Sequence, residues 1–146
     1  MTKGLNEFYK NNGLDYKTYW QPSDDPDVIN TYILNNINND IPVIMSYFNK
    51  TSKTDCKIEK ELQNGHIDTT YNCLQCYEAD TNNISNQKIV SHYFVITGVF
   101  MEYNVDKNIY DTYYQISTWG EKYNIKADDF LNNLNWFTNI VYTDVD

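Results

Sequence analysis

Residues 89–98 read "IVSHYFVITG", and how this stretch is read decides the fold. Tyr93, Phe94, Val95, Ile96 and Thr97 are all aromatic or β-branched, the side chains that fill a buried strand. His92 interrupts that pattern at the mouth of the run. Either it is a core histidine with a satisfied hydrogen bond, or it sits at a strand end because a cleft needs a base there. The strand continues as "IVSHYFVITGVFMEYN" to residue 104, turns through the polar "NVDKN", and returns as "IYDTYYQIS", residues 109–117. That is the pattern of an antiparallel pair.

Upstream, "GLNEFYKNNG" places Leu5, Phe8 and Tyr9 on one helical face, with Gly13 able to take the left-handed conformation that ends a helix. "LDYKTYW" alternates as a half-buried strand does. In "SDDPDVINTYILNNIN", Asp25 can cap, Pro26 suits the first helical position, and Asp27 complements the helix dipole. Val28, Ile29, Tyr32, Ile33 and Ile37 then form one apolar stripe, and Pro42 forces the chain out of helical space. "VIMSYF" follows as an apolar, central strand. Downstream, "KADDFLNNL" predicts a short helix starting near Lys126 or Ala127, and "NIVYT" an edge strand. The expected fold is α+β: one domain spanning residues 1–146, an antiparallel sheet with flanking helices, and a polar stretch at 49–88 that is an insertion or a long hairpin on the sheet.

With 20 acidic against 11 basic residues, the net charge is −9, and the average surface repels phosphate backbones and anionic lipid. Nucleic acid and membranes are therefore not expected partners. No apolar run approaches the roughly 20 residues of a spanning helix. The first residues lack the basic and apolar regions of a signal peptide, so the expected location is cytoplasmic by default, with secretion open if an export signal lies upstream. The heavy use of Asn, Lys, Ile and Tyr reads as the codon bias of an AT-rich genome.

The order of the segments "GLNEFYKNNG", "INTYILNNINNDIPVIMSY", "SHYFVITGV", "YYQISTWGEKYNIKADDFLNNL" and "NIVYT" resembles the papain-like cysteine peptidases, specifically the bacterial peptidases that trim double-glycine leader peptides and their uncharacterised relatives. The resemblance covers most of the chain outside residues 49–88, and it rests on the order of short motifs. It implies the C-terminal part of a papain-like fold. His92 matches the imidazole that activates a cysteine thiolate. Ser117, ahead of Trp119 and Gly120, falls where the family places an Asn or Asp that orients the ring, with Gln115 as a helper on the same strand face. A serine hydroxyl can hold the ring but supports an imidazolium less well than a carboxylate does. In the family order the nucleophile and its oxyanion-hole glutamine precede the first helix read here, and neither is present. The chain is therefore expected to be a truncated or degenerate peptidase that does not cut as it stands. The alternatives are a non-catalytic domain that binds an extended peptide or protein, and a zinc-stabilised interaction module.

The third alternative comes from "DCKIEKELQNGHIDTTYNCLQC", which holds Cys56, His66, Cys73 and Cys76. Four soft ligands ending in C-x-x-C can close a tetrahedral zinc site and order a polar loop. The wide first spacing leaves one disulfide plus a free thiol, or three reduced thiols, equally open. "DDPD" is a helix start, since the spacing and turn glycine of a calcium loop are missing. "VYTDVD" reads as a solvated acidic end. The aromatic clusters "YNVDKNIYDTYY" and "WF" pack a sheet face or line a peptide groove.

Overall fold

A computed structural model describes residues 2–14, 16–22, 25–48, 57–71, 74–134 and 139–145. In chain order these form α1 (Thr2–Asn11), β1 (Tyr16–Pro22), α2 (Pro26–Asn38), β2 (Val43–Phe48), β3 (Lys57–Glu61), β4 (Ile67–Tyr71), β5 (Leu74–Glu78), β6 (Ile84–Ile89), β7 (Ser91–Asn104), β8 (Ile109–Thr118), β9 (Glu121–Lys126), α3 (Ala127–Leu131) and β10 (Asn139–Val145). Eight strands make one sheet in the order β1-β10-β2-β7-β8-β9-β5-β6, antiparallel throughout, and β3 and β4 pair separately. The molecule is thus mixed α+β, mostly strand, with few helices.

Both long helices end as their sequences dictate. At α1, Gly13 has φ +65°. Its N–H donates to Lys10 O while Leu14 N–H donates to Tyr9 O, a Schellman closure. At α2, the Asp25 carboxylate accepts from the N–H groups of Asp27 and Val28. The far end closes the same way through Asp40, at φ +59°, with Ile41 N–H reaching back to Asn36 O. The helix therefore stops at Asn38, four positions before Pro42.

The core lies between one face of the sheet and the helices α2 and α3. Ile29 and Ile33 of α2 and Phe130 of α3 pack on Val43, Met45 and Tyr47 of β2, Phe94 and Ile96 of β7, and Tyr114 and Ile116 of β8. Phe130 is the hub, with ring centroids 6.0 Å from Phe94 and 6.1 Å from both Tyr47 and Tyr114. Of the expected α2 stripe, Val28 departs: it is 50% exposed, one step round the helix from the buried pair.

Two expectations need correction, and the structure adds a strand that the sequence pattern does not show. β10 is not an edge: it lies between β1 and β2, so β1 and β6 border the sheet. A strand, β9, stands between the Trp-Gly turn and α3, with Tyr123 and Ile125 alternating toward the helices. The stretch 49–88 is not one insertion either. β3 and β4 form a hairpin outside the main sheet, whereas β5 and β6 complete that sheet, and Leu74, Cys76 and Ile89 enter the core. Ile89 belongs to β6, and a bend at Val90 separates it from β7. The β5–β6 pair carries a bulge between Gln75 and Tyr77. Gln75, buried there, donates its side-chain amide to the carbonyls of Cys76, Ser85 and Gln87, replacing ladder bonds the bulge removes.

Candidate active site

The geometry around His92 follows from strand alternation. His92 opens β7 beside Tyr47 of β2, and Phe94 and Ile96 follow it on the helix-covered face. On β8 the residues that share this face are Tyr114, Ile116 and Thr118, all buried. His92 therefore meets Thr118: its Nε2 lies 2.6 Å from Thr118 Oγ1. Ser117, one residue earlier, belongs to the opposite face, where it pairs with Val95 and Lys122. Gln115 shares that opposite face and lies against Gly98, roughly 20 Å along β7 from the ring. The ring's partner is thus displaced from the expected Ser117 by one position, and Gln115 plays no part in holding it. A period of two turns a one-residue difference into a change of face.

Trp119 completes the arrangement. Thr118 pairs with Glu121, so Trp119 and Gly120 alone make the β8–β9 turn, and both have positive φ, +50° and +75°. Those angles belong to the two-residue hairpin turn that favours Asn-Gly, and a tryptophan in the first position is strained by its bulk. The strained residue lays its indole on the imidazole, with ring centroids 4.7 Å apart and planes 17° from parallel. Tyr123 supports the indole edge-on at 6.3 Å. His92 is held by a hydroxyl on one ring nitrogen and a stacked aromatic on one face; among the described residues, Nδ1 takes no hydrogen bond.

Cys76 is on β5, separated from β7 by β9 and β8, and it is a free thiol in the core. Burial, with the Glu78 charge adding, pushes that thiol up to about 12. An activated nucleophile needs the reverse. Cys56 and Cys73 lie outside the described residues, as does the aromatic pair "WF". Of the four expected zinc ligands, the two that are described stand apart. Cys76 packs in the core, while His66, in the β3–β4 turn, holds Asp106 at 2.6 Å through Nδ1. No group of three or more His, Cys, Asp or Glu among the described residues is placed to hold a metal ion.

The chain matches no family model, no curated protein and no solved structure. The site must therefore be argued from its own chemistry. Among the described residues, no helix is long and apolar enough to cross a membrane.

Proposed function

We propose that the chain is a cysteine-peptidase-like domain that contributes an imidazole site for an extended peptide and does not cut peptides through any described cysteine. One observation carries the reading: His92 Nε2 bonded to Thr118 Oγ1 under the Trp119 indole. In the tautomer in which Nε2–H donates to the threonine, the lone pair is on Nδ1, the state a general base requires. Thr118 fixes the ring's direction, and the indole covers one face of the imidazole. Thr118 supplies no negative charge, so an imidazolium formed here gains less than it would beside a carboxylate. Orientation without charge support, together with an inert buried Cys76, favours binding over turnover.

The strain at Trp119 supports the same conclusion. A hairpin turn by itself is better served by asparagine, and the tryptophan at this strained position stacks on the imidazole. The test is an NMR titration of the full chain with an extended peptide ending in Gly-Gly. Shifts of the His92 ring and the Trp119 indole N–H are expected, with the peptide recovered intact. Absence of both shifts would remove the site. Hydrolysis that survives His92→Ala would remove the histidine from any mechanism.

A further inference from the structure

The β7–β8 hairpin extends beyond the helices that cover it, and the face it leaves bare carries a second site. After the bulge between Ile96 and Gly98, the residues on the helix-covered face are Val99, Met101 and Tyr103, paired with Tyr114, Thr112 and Tyr110. Val99 still packs on the core, whereas Met101 is 67% and Tyr110 65% exposed. Beside them, a groove of about 380 Å³ opens between α2, α3 and β7, walled by Leu34, Val99, Met101 and Leu131. That is the size of a pocket that takes one or two large side chains.

Its polar lining is Asn30, Asn38, Thr112 and Asp128. Asn30 on the wall has its Oδ1 engaged by the Tyr114 hydroxyl at 2.6 Å, which leaves the amide N–H groups as donors. Asp128 is the one charged residue among the described lining. Lys107, hydrogen-bonded to Asp68, lines a neighbouring pocket with Lys126 and Asp106, so Asp128 is the charge the groove itself presents. The chain as a whole carries −9. A trough walled by apolar side chains with one carboxylate, Asp128, in its lining favours an apolar side chain flanked by a cation.

We infer that this groove docks a segment of a partner protein in which large apolar side chains alternate with Lys or Arg. An apolar side chain fills the trough between Leu34 and Met101, a cation meets Asp128, and a backbone carbonyl accepts from Asn30. The site is distinct from His92, which lies roughly 30 Å from Met101 along β7.

Two labelled synthetic peptides of about twelve residues, with identical Leu and Phe positions but Lys in one and Glu in the other, test this by fluorescence anisotropy on the full chain. The Lys peptide should bind at least about tenfold tighter, with the advantage shrinking as salt rises. Met101→Ser should weaken it about tenfold, and Asp128→Asn should reduce the preference between the two peptides. Val28→Ser, an equally simple change on the exposed side of α2, should leave binding unaltered. NMR shifts should centre on Leu34, Met101 and Leu131. Absence of binding by the Lys peptide, equal binding of both peptides, or shifts centred on Trp119 would overturn the inference. Sedimentation showing that the chain self-associates through Met101 would overturn it as well, by making a second copy the occupant.

Discussion

His92 and His66 each hold a ring nitrogen 2.6 Å from an oxygen, at opposite ends of the same β7–β8 hairpin, yet the two ends are built on different physics. His92 leans on Thr118 and Trp119 with the core directly behind it, through Tyr47 and Phe94. His66 belongs to the separate β3–β4 hairpin and reaches Asp106 in the β7–β8 turn, both side chains about half exposed. Two further bonds across that junction are equally polar: Asn64 to the Asp106 carbonyl and Lys107 to Asp68. Equal distances thus conceal unequal consequences. A contact backed by buried apolar surface transmits the stability of the core, while one in solvent exchanges with water at little net cost.

The largest test strikes the support of the first end. Phe130→Ala removes the ring that Tyr47, Phe94 and Tyr114 all touch. It should cost about 3–5 kcal/mol in urea denaturation. A loss below about 1 kcal/mol would mean that α3 is not seated on the sheet and that His92 has no rigid backing.

Alkali should act chiefly on the sheet, since at the β3–β4 junction the raised group is the part-exposed Lys107 paired with Asp68. Burial raises Tyr47 and Tyr113 to about 12, with the charges of Asp129 and Asp111 respectively adding, and Cys76 rises likewise to about 12. In the unfolded chain these groups release protons nearer 10 for tyrosine and 9 for the thiol. The folded state therefore binds more protons in that window. Stability is complete below it and falls as pH rises toward 12, by about 1 kcal/mol per group for each pH unit. Denaturation midpoints that stay flat between pH 9 and 11 would show these groups to be open to water.

Much of this layout is legible in the sequence, and the misreadings share a cause. The caps of α2, the glycine that ends α1 and the apolar runs of β2 and β7 are local signals, each complete within a few residues. β9 escapes because "EKYNIK" has only Tyr123 and Ile125 to show its period, and because Trp-Gly does not announce a two-residue turn as Asn-Gly does. Without that turn the register of β8 is loose by one residue, and Ser117 and Thr118 exchange faces. The place of β10 inside the sheet, and the entry of β5 into it, depend on pairings between residues far apart in the chain, which no local pattern encodes.

The threonine that the register selects is the next test. Thr118→Val keeps the shape and removes the oxygen facing His92 Nε2, so it should cost about 1–2 kcal/mol. In a double-mutant cycle with His92→Ala most of that loss should appear as coupling. Ser117→Ala, on the other face, should be near neutral. The reverse ranking would return the orienting role to Ser117.

The smallest expected effect is the one that sharpens the contrast most. His66→Ala breaks a pair of the same length as His92 and Thr118, but both partners are about half exposed. Solvent screening and the entropy of holding two mobile side chains together leave such a pair within about 0.5 kcal/mol. The global unfolding midpoint should therefore hardly move. Amide exchange in β3 and β4 should nonetheless quicken, since polar contacts such as Asn64 to Asp106 and Lys107 to Asp68 then carry the junction with one fewer. Unchanged exchange would assign the docking of this hairpin to other contacts. A midpoint shift as large as that of Thr118→Val would show that the two ends of β7 are one cooperative unit after all.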